Sequence, residues 1–261
     1  MMKKRRLNRK TVKAVFIATA VLLVFTTVGA VRAALASRTE FHVLFELHDI
    51  GVTLNENGEP VAWRTYDGNK EAWDTSSDTA SLLADVKQVR YGETYDEELT
   101  VTNSGRIDEY VRVTVYKYWV DEEGNKASEL DPGLIDLKLV SGDNGWIVDD
   151  FYTTDERTIL YYTAPLKGSD SAAGGETSEA FAESVAMDGK IKDHVAQVVS
   201  EYDETTGYTT YTTDYIYDGY TFCVDVQVDA IQTHNAEDAA MSAWGRKISI
   251  ASDGTLSLVE G

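Results

Sequence analysis

Residues 110–120 read YVRVTVYKYWV, and residues 221–231 read TFCVDVQVDAI. In the first, Val111, Val113 and Val115 alternate with Arg112, Thr114 and Tyr116, with Tyr118 continuing the inward set. A period of two puts one set of side chains on each face of a strand, so the stretch predicts a strand with one apolar face. The second stretch predicts a core strand of similar length. Around them the same period recurs. ETYDEELTVTNSG forms a strand beside the first, with Tyr95, Leu99 and Val101 inward. LIDLKLV and GWIVDD read as a further adjacent pair about the turn SGDNG. RTILYYTAPL is a strand stopped by Pro165, and AFAESVAM alternates again after the loop KGSDSAAGGE.

Toward the front, Phe41, Val43, Phe45 and Leu47 share one face of TEFHVLFEL, and Ile50, Val52 and Leu54 alternate in DIGVTL. Asn57-Gly58 marks a tight turn, after which Val61 and Trp63 resume the pattern. Residues 79–86 read as a short helix or a turn. Toward the end, residues 201–221 are dense in Tyr and Thr, which suit pleated surfaces, and predict a hairpin turning near Thr205 to Gly207. RKISIA and TLSLV close the chain around the turn SDG. Many short strands at regular spacing, with only three prolines, predict an all-β antiparallel sandwich with short helical inserts.

The one clean helix is IQTHNAEDAAMSAWG, residues 231–245, with Asn235 as its N-cap and Gly245 as its C′ residue. His234, Glu237 and Asp238 fall at helical spacings. They resemble an inverted zincin motif with Asp in place of its second histidine, and they are the candidate metal ligands. Glu237 and Asp238 equally suit the first turn, where acids complement the helix dipole. No H-E-x-x-H, G-x-S-x-G, P-loop, G-x-G-x-x-G or EF-hand spacing is present, so no catalytic residue and no cofactor is expected. His42 and His48 flank a strand, and His194 stands apart. The acid pairs Glu122/Glu123 and Asp149/Asp150 sit in turns and read as solvated, with weak divalent-cation binding as their other use. Cys223, the single cysteine, has no partner for a disulfide and reads as a small buried side chain.

The first 36 residues stand apart. Met1 to Lys13 carries seven Lys and Arg and no acid. Ala14 to Val31 is uncharged, and Ala34-Leu35-Ala36 is an A-x-A cleavage site. That is a secretory signal peptide, with Ser37 as the first mature residue and 37–261 as one domain; an uncleaved anchor is the alternative. The leader holds 8 of the 24 Lys and Arg and none of the 44 acids, leaving 16 basic against 44 acidic residues, a net of −28. Such a surface repels phosphate backbones and anionic lipid, which excludes nucleic acid as a partner and limits membrane contact to the leader.

The leader, the block VTNSGRIDEYVRVTVYKYWVD, and the run ERTILYYTAPL with the later VDAIQTHNAEDAAMSAWG together resemble the TasA/camelysin-type exported proteins. The resemblance implies a jelly-roll sandwich, export through a signal peptidase, and assembly into extracellular biofilm-matrix fibres by lending an N-terminal strand to a neighbour. Residues 37–48 then become the donor strand, carrying Phe41, Val43, Phe45 and Leu47. Two alternatives remain: a camelysin-type surface metallopeptidase using His234 and Glu237, and a monomeric surface module binding through the Tyr/Thr-rich segment 207–222.

Overall fold

The computed structural model describes residues 50–67, 72–76, 82, 90, 92–171 and 175–259. The leader with Ala34, Ala36 and Ser37, the donor segment with Phe41, Val43, Phe45 and Leu47, His42, His48 and most of residues 79–86 lie outside them.

Two sheets carry the fold. The larger joins β3 (Ala72–Thr75), β2 (Glu59–Asp67), β1 (Gly51–Glu56), β4 (Thr94–Asn103), β9 (Ala182–Met187) and β6 (Ile135–Leu139) in that order. The smaller joins β12 (Thr221–Gln232), β5 (Glu109–Val120), β8 (Arg157–Tyr162) and β7 (Trp146–Val148). Every pairing is antiparallel. The chain changes sheet between β4 and β5, β5 and β6, β6 and β7, and β8 and β9, the repeated crossing of a jelly-roll-like sandwich. Two hairpins stand outside the sheets: β10 (Val195–Asp203) with β11 (Tyr208–Tyr215), and β13 (Ile248–Ile250) with β14 (Leu256–Leu258).

The alternation explains the core. Val111, Val113 and Val115 of β5 and Val224, Val226 and Val228 of β12 meet Val52, Leu54, Leu99, Val101, Ile135 and Val185 of the larger sheet. Two tryptophans close this interior. The Trp119 ring lies 4.9 Å from that of Tyr217 and its Nε1 donates to the Asp131 carbonyl at 2.8 Å. The Trp146 ring lies 5.4 Å from Phe181, and its Nε1 donates to the Glu179 carbonyl at 2.7 Å. Each indole thus keeps its polar atom satisfied while burying a large apolar area.

The outer face of the smaller sheet has its own cover. Helix α1 (Ala236–Trp244) and the β13–β14 hairpin bury Tyr110, Ile159, Tyr161 and Ile231 against Ala236, Ala240, Trp244, Ile248 and Leu256. Two buried ion pairs lie in this layer. Arg112 and Asp229 stand directly opposite each other on β5 and β12, with Arg112 Nε donating to Asp229 at 3.0 Å. Arg112 also donates to the Trp244 carbonyl at 3.2 Å, which ties down the helix C-terminus. Arg246 Nε donates to Asp149 at 2.7 Å and its Nη1 to the Val259 carbonyl at 2.6 Å.

Several expectations change. Ile231 and Gln232 finish β12, so the helix spans Ala236–Trp244 only; full pairing with β5 outweighs the helical pattern there. Gly245 does end it, at φ 64°. Tyr118 faces outward and bonds to Asp225 at 2.8 Å, while Trp119 holds the inward place. β6 and β7 do not pair; they belong to opposite sheets. A bulge at Leu54/Asn55 turns Trp63 outward and Ala62 inward. Asp149 is not solvated: it is 1% exposed, held by Arg246.

Candidate functional site

Among the described residues four strand edges bound the two sheets, and they differ in length. β3, β6 and β7 are four, five and three residues long, short edges of the kind that discourages pairing with other chains. β12 is twelve residues long, its inward valines are buried, and among the described residues it pairs with β5 alone. A long strand edge of this kind offers a row of backbone donors and acceptors to an incoming strand.

A second surface is the β10–β11 ribbon. Every residue of β10 is exposed, and the ribbon pairs with no other described strand. Eight of the twelve large apolar side chains exposed among the described residues fall on or beside it: Val195, Val198, Val199, Tyr202, Tyr208, Tyr211, Tyr215 and Ile216. Its base is anchored, since Ile216 N–H donates to the His194 carbonyl and Tyr217 is buried on Trp119. The Asp203 carboxylate holds the tip by accepting from the Thr205 N–H at 2.8 Å and the Thr206 hydroxyl at 2.8 Å, so the predicted turn stands where expected. Apolar area gathered on one exposed element marks an interaction surface.

The helix motif is arranged for structure. His234, Glu237 and Asp238 are all exposed, and Glu237 Oε1 accepts from the Ile250 N–H at 2.9 Å, joining the first helical turn to β13. Among the described residues no three His, Cys, Asp or Glu side chains converge as a metal site. Asn235 makes no side-chain cap bond and instead takes a left-handed conformation, φ 53° and ψ 38°, that turns the chain from β12 into α1. Its identity therefore matters for backbone conformation. Asn235→Ser, nearly neutral for a capping residue, is expected to cost about 1 kcal/mol, while Asn235→Gly should equal or exceed the parent. Thermal melts of the two variants check this; a neutral Ser variant restores the capping role.

Burial shifts the titration of several interior groups, Cys223, Glu97 and Glu109 among them. Burial, then Asp225, pushes the Cys223 thiol up to about 11, which favours the neutral thiol over the nucleophilic thiolate at neutral pH. Glu97, 2% exposed on β4, is pushed up to about 9 by burial and then by the adjacent Glu56 carboxylate. Glu109, fully buried at the start of β5, is raised well above the carboxylate range by burial, although its Oε1 accepts from the Gly51 N–H at 2.9 Å. Burial thus favours the neutral form of both carboxyls, and Glu109 ties β5 to β1 through the Gly51 N–H. No alternation rule signals them, because each occupies an inward position that the pattern reserves for apolar residues.

No helix among the described residues is long and apolar enough to cross a membrane. Compared with known proteins, the chain matches no family model, no curated protein and no solved structure.

Proposed function

We propose that this chain is an exported structural subunit of an extracellular assembly, a matrix fibre of the TasA-like kind, and that it works by association and not by catalysis. The observation that carries the reading is the twelve-residue edge of β12. In the proposal, residues 37–48 of one copy add to that edge in the next, burying Phe41, Val43, Phe45 and Leu47. A strand beside a free N-terminus is weakly tethered, and lending it head to tail propagates a filament unless a ring closes. The leader with its Ala34-Leu35-Ala36 site supports export through a signal peptidase and localisation at the cell surface or in the matrix.

Electron microscopy of residues 37–261 should show filaments. Deleting residues 37–48 should abolish them while leaving a folded monomer, whose melting temperature then rises when the segment is supplied as a peptide. Filaments from the deletion variant, or none from the parent at high concentration, would sink the proposal. In the latter case the β10–β11 ribbon, with its cluster of exposed tyrosines and valines, favours a monomeric surface module as the second reading.

A further inference from the structure

The cover over the smaller sheet leaves a cavity of about 250 Å³ beside the C-terminal end of α1, between that helix and strands β5, β8 and β12. Its electrostatics are unusual for so acidic a chain. Arg112, in its wall, is neutralised by Asp229, and the neighbouring Arg246 by Asp149. Arg157, also in the wall, has no such partner: its Nε and Nη2 donate to the Tyr152 carbonyl at 3.3 and 2.8 Å, and no carboxylate of the described residues lies within ion-pair distance. One uncompensated guanidinium therefore faces a small cavity in a chain with 44 acids.

A second, independent feature belongs to the same wall. Trp244 lines the same cavity, is 9% exposed, and its indole N–H finds no acceptor among the described residues. Buried indole N–H groups normally have a partner, and leaving one unmade is costly, so a ligand that supplies an oxygen would bind with gain. The remaining wall is of mixed chemistry: Thr114, Tyr116 and Gln227 both donate and accept, while Tyr152 presents a ring that is 39% exposed.

We propose that this cavity binds a carboxylate-bearing sugar unit, a hexuronate, with Arg157 taking the carboxylate and the Trp244 N–H a hydroxyl or ring oxygen. A guanidinium selects a planar carboxylate by paired hydrogen bonds. Groups that donate and accept suit ring hydroxyls, and an aromatic face suits the C–H side of a sugar. The volume lies below the range for drug-sized ligands and fits one ring. A bare acidic side chain would use Arg157 but leave the hydroxyl and amide groups of the wall without matching partners. The inference does not depend on filament assembly, because none of these residues lies in segment 37–48.

The test is a ¹⁵N–¹H titration of the exported chain, kept below the concentration at which filaments form, with Trp244→Phe identifying the indole resonance. Sodium glucuronate should move the Trp244 Nε1–H signal saturably, and glucose should bind at least tenfold more weakly. Arg157→Gln should weaken glucuronate at least tenfold at an unchanged melting temperature, and Arg157→Lys should retain more affinity than the Gln variant. Equal binding of glucose, tighter binding of a diglutamate peptide, an unmoved indole signal or undiminished affinity in Arg157→Gln would each overturn the assignment. Should the Gln variant fail to fold, the glucuronate–glucose comparison on the parent decides alone.

Discussion

Asp149→Ala should lower the unfolding free energy by about 3–5 kcal/mol, an effect on the order of 10 °C in melting temperature for a domain of this size. Asp149 is 1% exposed, and Arg246 faces it at 2.7 Å from within the layer between the smaller sheet and α1. Removing the carboxylate leaves a guanidinium that cannot lose its proton and that is screened from water on nearly every side. Its remaining bond, to the Val259 carbonyl, does not balance the charge. The backbone survives the change, because Asp149 N–H donates to the Ile159 carbonyl and its own carbonyl accepts from Tyr152 and Thr153. The loss therefore reports charge burial and not a broken turn. Combining Asp149→Ala with Arg246→Met should recover most of it, since taking both charges out together removes the desolvation penalty. Urea unfolding of the parent, both single variants and the double variant measures this. A single-variant loss under 1 kcal/mol would show that water reaches Arg246.

Glu97→Gln should act in the opposite direction, stabilising the fold by about 3 kcal/mol at pH 7. The native Glu97 carboxyl holds its proton up to about pH 9, whereas its ordinary value is 4.5. Between those two values the folded chain keeps a proton that the unfolded chain releases. Stability is therefore complete below pH 4.5 and declines as pH rises toward 9, by about 1.4 kcal/mol for each pH unit. Glutamine has the same shape, cannot ionise and can still donate toward Glu56, so it removes this decline. The gain should vanish near pH 4 and grow up to about pH 9. Denaturation midpoints of both proteins across that range test it, and a gain independent of pH would assign the effect to packing.

The features legible in the sequence are those set by near neighbours along the chain. Alternation identifies β5 with its inward valines and β12 as a core strand, Asn57-Gly58 marks its turn, and the Tyr/Thr-rich stretch 201–221 shows the hairpin turn, although the ribbon runs over residues 195–215. The apolar run around Cys223 marks it as a buried strand residue, and Gly245 marks the end of the helix. What escaped depends on partners distant in the chain. Nothing near Asp149 announces Arg246, 97 residues later, so a polar turn concealed a buried ion pair. LIDLKLV and GWIVDD have the spacing of a hairpin, yet one strand pairs with β9 and the other with β8. Alternation places Trp63 inward, one position off, because a bulge leaves no periodic signature. The Arg157–Trp244 cavity joins β8 to the end of α1, and only the packing of that helix on the sheet brings them together.

The exposed β10–β11 ribbon also decides which proteases can cut the chain. Exposed hairpin tips are preferred sites of proteolytic nicking. Trypsin-like enzymes cut after Lys or Arg, and the chain has neither between Lys192 and Arg246, so the whole ribbon offers them no site. Its four exposed tyrosines make it a substrate instead for enzymes that cut after aromatic residues. A cut at Tyr202 or Tyr208, beside the tip, would leave each arm of the ribbon joined to the sandwich, one through the chain before β10 and the other through the buried Tyr217. The nicked molecule would migrate intact until denatured, and only then separate into two fragments.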